Sequence, residues 1–486
     1  MMNSKFMNGT AERGPLNPEI QAFRHANGHS MASLKSRWLR KFILHHSPLI
    51  VLLFTRTLWA QGIPLNPPIP SGFGVEIHFT HPVPGEMKEI AEGGFRWVRM
   101  DFSWAATEPA KGRYDFSAYD TLLAALAPYH LRPILILDYS NKFYDRGLSP
   151  YDDAGRQAFA NWVAAAVNHF HGRGVVWEMY NEPNWSFWTP KPNVDDYIKL
   201  ALKVGETIKE AHPDEAYIGP AGALIDLPFL KACFAAGLLN YWSAVSVHPY
   251  RQRIPESVSG PYAALRKLIA AYAPPGKTIP IIAGEWGYPS TPNWFHMSDA
   301  GQAQMLAREF LTNISEGVAV TIWYDWKDGS GASNSADDHY GIVKPDDRPG
   351  ANPADPPKPA YRAAQTLSRF FNGYTFRKRL SVGSTNDYVL VFTKGNDARL
   401  AAWTTGASPG AVTIPGARGK FHVTGMEGAK QHGLRAHRHG LKIRLSNSSQ
   451  YLAPQKPEGL ADVAAQPSAA TKSHFQPFPR KRESSE

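Results

Sequence analysis

The sequence predicts an α/β fold: a closed (β/α)8 TIM barrel followed by a small C-terminal antiparallel, β-sandwich-like domain. Three observations carry this. From residue 72 to 372, short β-rich runs alternate with stretches of helical period, the pattern of repeated βα units. Strand candidates such as Pro133-Ile-Leu-Ile-Leu137 and Ile279-Pro-Ile-Ile-Ala283 are apolar on both faces, as a parallel sheet covered by helices requires. No GxGxxG or GxxxxGK[ST] follows the first strand, so an open nucleotide-binding sheet lacks its phosphate cradle.

The elements follow in order. Strands are predicted at 73–79, 95–101, 133–138, 175–180, 216–220, 244–248, 278–284 and 318–324. Helices are predicted near 85–93, 117–129, 154–171, 194–211, 227–236, 261–273, 299–315 and 359–371. Trp97 and Trp177 are expected to pack against the helices rather than at the barrel mouth. Beyond Asn372 the period drops to two, in Tyr388-Val-Leu-Val-Phe392, Leu400-Ala-Ala-Trp403 and Leu441-Lys-Ile-Arg-Leu445, which reads as a β-domain at 373–452. The tail at 453–486, rich in Ala, Pro, Gln and Ser, has too little apolar content to fold and is expected to be disordered. The barrel is assigned to 61–372, and 1–60 forms an N-terminal extension. Its basic flank at 35–41, apolar run at 42–54 and small Ala60 resemble a secretory signal, and Met31 would start one of ordinary shape. A secreted or periplasmic protein is expected, or one held at the membrane by an uncleaved segment.

The chain has 486 residues, 43% of them hydrophobic and 19% charged, which excludes collagen, coiled coil and wholesale disorder. Its single cysteine, Cys233, excludes an intramolecular disulfide, and no Cys/His cluster has metal-ligand spacing. No metal and no cofactor are expected. The net charge of +10 is unevenly spread: residues 1–60 carry 8 basic against 2 acidic residues, 61–372 carry 27 against 33, and 373–486 carry 17 against 7. The barrel is therefore acidic and its attachments basic, so nucleic acid is not expected in the cleft, while the β-domain is suited to contact an anionic polymer or cell surface. A monomer is expected.

In such a barrel the working residues lie at the carboxyl ends of the strands. Those ends are polar: Glu76 and His78 after strand one, Arg99, Asp101 and Trp104 after two, Asp138 after three, Asn181-Glu182-Pro183-Asn184-Trp185 after four, His248 and Tyr250 after six, Glu285-Trp286 after seven, and Trp323 at eight. Glu182 and Glu285 each follow an apolar strand among aromatic residues, on opposite sides of an eight-stranded barrel, so both can face one cleft. A pair of carboxyls across a sugar-binding cleft is what acetal cleavage needs, one protonated for the leaving oxygen and one ionised to attack the anomeric carbon. The tryptophans Trp104, Trp185, Trp286 and Trp323 are candidate floors for pyranose rings, and Asp138 is a candidate substrate ligand.

Asn181-Glu182-Pro183 with Glu285, together with Arg99, His248, Tyr250, Trp323 and the closing Lys358-Pro-Ala-Tyr361, resembles clan A of the retaining glycoside hydrolases. Over 72–452 the chain is most similar to family 39 and family 5 type enzymes, particularly bacterial endoglycosidases associated with exopolysaccharide. The resemblance implies a retaining, endo-acting β-glycosidase on a polysaccharide or oligosaccharide. Glu182 would be the general acid/base and Glu285 the nucleophile; Asn181 would bond the sugar 2-hydroxyl and Tyr250 would align Glu285. His248 would line the site, Trp323 would form its platform, and Arg99 and Asp101 would support it from below. The charge of Glu285 is expected to raise the pKa of Glu182, with the two carboxyls about 5 to 5.5 Å apart. A catalytically silent carbohydrate-binding barrel of an export system and a transglycosidase remain as alternatives on the same residues.

Overall fold

The computed structural model of the chain describes residues 62–291, 297–329, 335–345 and 356–466. The signal-like segment and most of the expected tail lie outside these residues. Eight parallel strands close into a barrel in sequence order: β1 (Phe73–Glu76), β2 (Trp97–Ser103), β3 (Arg132–Asp138), β4 (Val176–Met179), β5 (Ala216–Ala223), β6 (Val245–His248), β7 (Ile281–Trp286) and β8 (Val320–Trp323). Because β1 pairs with both β2 and β8, the sheet has no free edge. Around it run α1 (Glu86–Glu92), α2 (Trp104–Thr107), α3 (Ser117–Leu126), α4 (Asp153–Phe170), α5 (Val194–Ala211), α6 (Leu227–Ala235), α7 (Ser259–Tyr272), α8 (Asp299–Ser315) and α9 (Pro359–Phe370). Side-chain caps start several of them: Asp152 accepts from the Gly155 N–H, Asn193 from those of Asp195 and Asp196, and Ser298 from that of Gly301. Among the described residues no helix is long and apolar enough to cross a membrane.

Alternation along the strands sorts the side chains. On β2, Val98, Met100 and Phe102 join the core between sheet and helices, while Trp97 sits among Ile134, Val176, Ile218, Ile282 and Ile322 inside the barrel. The expectation that Trp97 packs on the helices is therefore wrong. It shares the inward parity of Arg99 and Asp101, two and four residues on, but at the closed end of the strand. Its indole N–H donates to the Ser71 carbonyl, and the Arg132 guanidinium lies 4.7 Å over its ring. Trp177 does face outward, against Phe102 and Phe170.

The second region holds β9 (Thr375–Arg379), β10 (Asp387–Lys394), β11 (Asp397–Thr404), β12 (Gly410–Ile414), β13 (Lys420–Gly425), β14 (Lys430–Arg435), β15 (Leu441–Leu445) and β16 (Gln450–Pro454). A six-stranded antiparallel sheet, ordered β14-β13-β16-β11-β10-β9, faces the two-stranded β12-β15 sheet across an apolar interior that includes Val391, Leu400, Phe421, Ile443 and Leu452. The other face of the large sheet continues the barrel's outer core: Phe392 packs tilted and Tyr451 edge-on against Phe371, at ring separations of 4.5 and 5.4 Å. Trp403 donates to Glu256 at 2.6 Å, the same buried carboxylate that Arg308 grips with two bonds of 2.7 Å. The expected disordered tail begins too early. β16 runs to Pro454, and a short helix α10 (Ala461–Ala465) seats Val463, with Leu460 just before it, in the β-domain interior. Two apolar residues in an Ala-rich stretch are too sparse a signal to read as structure.

Candidate active site

Arg99 organises the mouth of the barrel. Its guanidinium is fully buried and spends its fixed fork of donors on five partners. Nε donates to Glu178 at 2.6 Å, and Nη1 donates to Glu76 at 2.8 and 2.9 Å and to Glu285 at 2.9 Å. Nη2 donates to Asn181 Oδ1 at 2.7 Å and approaches His248 Nε2 at 3.2 Å. Asp101, expected beside it, is not among these partners; its main-chain carbonyl accepts from the Tyr119 hydroxyl. Sequence reasoning missed Glu178, although its inward parity beside outward Trp177 on β4 was the available signal.

The turn after β4 presents Glu182 in a left-handed conformation, φ 44°, as is Tyr180 at φ 62°. Non-glycine residues hold such conformations at a cost of roughly 1–3 kcal/mol, so neighbouring bonds must impose them. The Glu182 N–H donates to the Ala221 carbonyl at 2.8 Å, and the Trp185 N–H donates to the Glu182 carbonyl at 2.9 Å. Asn184 clamps both main-chain groups of Ala223, at 2.8 and 3.0 Å. The two asparagines thus have separate duties: Asn184 fixes the turn to β5, and Asn181 joins it to Arg99. On β7, Gly284 leaves room beside Glu285, since a side-chain carbon there would lie 2.3 Å from Ser246 Oγ and 3.1 Å from Glu178.

The two glutamates are held differently. Glu285 is fixed at both oxygens, Oε1 by the Tyr250 hydroxyl at 2.9 Å and Oε2 by Arg99. Glu182 meets His248 Nδ1 through Oε1 at 2.9 Å. Burial pushes His248 down to about 4, so the ring is neutral near pH 7. Because Arg99 can only donate, Nε2 accepts, Nδ1 carries the ring proton, and that proton is donated to Glu182 Oε1. An acid proton on Glu182 then belongs on Oε2. Burial also raises the Glu182 carboxyl to about 7, against the pull of Arg99. The expected cause, the charge of Glu285, is not what raises it; the depth of the pocket is. One oxygen of Glu182, one of Glu285 and a nitrogen of His248 lie within 4.8 Å of one another.

Around this centre, burial works against a charge on His78, but Asp325 at 3.4 Å and Glu76 outweigh it and lift the ring to about 9. Burial, then the adjacent Asp101 carboxylate, holds Asp138 well above the usual carboxylate range. Asp138 is fully buried, so it is not placed to touch a ligand directly, contrary to expectation.

The aromatic expectations divide. Trp104 is fully buried, donating to Glu108 and stacked on Tyr144 at 5.0 Å, so it is core rather than cleft floor. Trp286 and Trp323 are also fully buried; Trp323 donates to the Tyr340 carbonyl and Trp286 lies under Arg251. None of the three offers a free face, because a strand-end position does not by itself decide whether a following loop covers the ring. Trp185 is 54% exposed, and Phe187, missed in the sequence, is 43% exposed on the same loop and stacked on Tyr139. Among the described residues one other cluster has metal-ligand spacing, exposed His171 and Asp214 with half-buried His212, at the carboxyl ends of α4 and α5.

The closed barrel with its C-terminal β-domain is a fold found among known glycoside hydrolases. The glycoside hydrolase family 42 model, beta-galactosidase, matches residues 82–136, which span α1 to β3. A family 39 glycoside hydrolase from the gut symbiont Bacteroides cellulosilyticus WH2 is similar in structure, with a TM-score of 0.68 and 24% identity over 80% of this chain and 81% of that one. A GH39 β-xylosidase from Caulobacter crescentus (TM-score 0.57, 18% identity, 81% and 98% covered) and a GH30 endoxylanase from Clostridium papyrosolvens C71 (0.58, 13%, 81% and 98%) share the fold. No curated protein sequence matches the chain.

Proposed function

We propose that the chain is a retaining, endo-acting β-glycosidase that hydrolyses O-glycosidic bonds of a polysaccharide by double displacement. The observation that carries this is that Glu182 and Glu285 face one another with an oxygen of each within 4.8 Å, the close approach that a retaining pair, its carboxyl groups roughly 5–5.5 Å apart, calls for. Glu285, ionised between Arg99 and Tyr250, attacks the anomeric carbon while Glu182 gives its Oε2 proton to the departing oxygen. The glycosyl ester on Glu285 is then opened by a water that surrenders its proton to Glu182. The bond from His248 Nδ1 to Oε1 steadies Glu182 in its ionised phase. Asn181, whose Oδ1 is taken by Arg99, keeps its amide N–H groups for a sugar hydroxyl.

Exposed Trp185 and Phe187 supply apolar faces for sugar rings beyond the cleaved bond, which supports cleavage within a chain. The structural relatives, a β-xylosidase and an endoxylanase, favour a β-linked polymer. The basic flank and apolar run before residue 60 support action outside the cytoplasm, on an exopolysaccharide.

The test is a panel of β-linked plant and bacterial polysaccharides offered to wild type, Glu182→Gln and Glu285→Gln. Wild type should lower viscosity before reducing ends accumulate, and both variants should lose hydrolysis with circular dichroism unchanged. Glycans bound by wild type but never cut would overturn the proposal in favour of a silent binding barrel.

A further inference from the structure

We propose that the free edge of the β-domain is a docking surface for an anionic polysaccharide. Between positions 418 and 444 seven lysines and arginines stand against one acidic residue, Glu427. Glu427 is engaged by Arg362 of α9 at 3.0 Å, and Arg418 is neutralised by Asp462 at 2.6 Å. The other six, Lys420, Lys430, Arg435, Arg438, Lys442 and Arg444, are exposed and have no carboxylate partner among the described residues.

Strand register orders them. Lys420 lies directly opposite Arg435 on the β13-β14 hairpin, and Lys430 lies opposite Thr424, so these side chains share one face. Arg438 sits in the turn to β15, closed by Gly440 at φ 115°, where a side-chain carbon would meet the Ile414 carbonyl at 2.1 Å. Lys442 and Arg444 then point outward from β15, at alternate positions whose inward neighbours Leu441, Ile443 and Leu445 fill the interior. Within a sheet cross-strand neighbours stand about 4.8 Å apart and alternate residues about 6.7 Å apart, so Lys420, Lys430 and Arg435 form one row of fixed positive charge on the outer face of the large sheet and Lys442 and Arg444 a second on the outer face of the small one, with Arg438 in the turn between β14 and β15. Protecting a sheet edge from self-pairing needs an interspersed charge or two, not six without a counter-ion.

The partner follows from what accompanies the charge. None of the exposed large apolar or aromatic side chains of the described chain lies in the β-domain. The exposed rings of this region are the imidazoles of His422, His432, His437 and His439, with no exposed Trp, Tyr or Phe, so a bilayer would have no anchor to receive. A polymer recognised through carboxylate, sulfate or phosphate groups needs none. The choice of a polysaccharide rests on the glycosidase reading; the cationic rows do not.

The test uses the full chain carrying Glu285→Gln, so that no substrate is consumed, in affinity gels containing polygalacturonate or its methyl ester, which keeps the backbone and removes the charge. Polygalacturonate should retard the protein, the ester should not, and salt should abolish retardation by screening. Adding Lys420→Glu, Arg435→Glu and Arg438→Glu should weaken binding on the order of tenfold. Lys442→Glu with Arg444→Glu, on the other sheet, should do the same if the first set unfolds. Lys209→Glu, Lys231→Glu and Lys267→Glu on the barrel helices make the same charge change as the first set and should leave binding intact. Equal loss in this control, no retardation by polygalacturonate, tighter binding to double-stranded DNA or phosphatidylglycerol vesicles, or band variants that only aggregate while still binding would each overturn the proposal. The readout is independent of whether the cleft hydrolyses anything.

Discussion

The two ends of the same barrel strands are built from opposite chemistry. At the closed end, the inward residues Trp97, Ile134, Val176, Ile218, Ile282 and Ile322 form an apolar plug. Two to four residues further along, Arg99, Asp138, Glu178 and His248 are just as buried. In the plug, stabilisation is spread over many weak contacts, so a lost methylene is paid for only in its own burial and cavity. At the mouth the charge of Arg99 is balanced by Glu76, Glu178 and Glu285, and removing one partner leaves the other buried and uncompensated. Side chains of equal burial therefore differ in how much a small change costs, and in whether that cost appears in stability or in chemistry.

The largest effect is expected at Glu285. Glu285→Gln removes the attacking oxygen and should bring turnover to background, while thermal unfolding shifts little. Glu182→Gln should lower kcat by about 10² to 10⁴, the usual worth of a positioned general acid. It should also remove the alkaline limb, which in wild type falls tenfold per pH unit above about 7 as Glu182 loses its proton.

A stability signature accompanies that limb. A carboxyl raised in the folded state binds its proton more tightly there than when unfolded. Its favourable contribution is present below the unfolded pKa and is lost as pH rises through about 7. Glu182→Gln should accordingly be more stable than wild type at pH 8, by up to ~3 kcal/mol, and show little difference at pH 4. Denaturant unfolding at both pH values reads this directly.

Arg99→Lys replaces a fork of five donors with three from one point and cannot serve Glu76, Glu178, Glu285, Asn181 and His248 together. It should destabilise the fold by about 3–5 kcal/mol and abolish turnover. Tyr250→Phe removes one bond to an ionised Glu285, worth about 1.5–3 kcal/mol, and should cost roughly 10- to 100-fold in kcat with the fold unchanged. Smallest is Ile134→Val in the plug, about 0.5–1.5 kcal/mol of stability with kcat and its pH profile untouched. If it altered the profile, the separation between the two ends of the barrel would fail.

The contrast also explains what the sequence could disclose. Alternation and period carried the barrel: α5 and α8 lie where predicted to the residue, and β3 to within one. They also brought Arg99, Asn181, Glu182, His248, Tyr250 and Glu285 to one mouth, because strand ends set position. Solvent access is decided by the loops that fold over those ends, and no local pattern records it. Trp104, Trp286 and Trp323 were read as open platforms and are covered, while Phe187 is open and passed unnoticed. The proton on Glu182 was likewise foreseen with the wrong cause, since pairing of two glutamates is visible in a sequence and the depth of a pocket is not. Trp97, two residues before Arg99, shares its inward parity and fills the plug rather than the helix face expected of it.

The central claim is that Glu285 attacks the sugar and Glu182 serves both steps from within 4.8 Å. The most direct measurement is proton NMR of the first product released from a β-linked substrate, before mutarotation. Two successive inversions predict that the new reducing end appears as the β-anomer. First appearance of the α-anomer would mean a single displacement by water and would contradict the account.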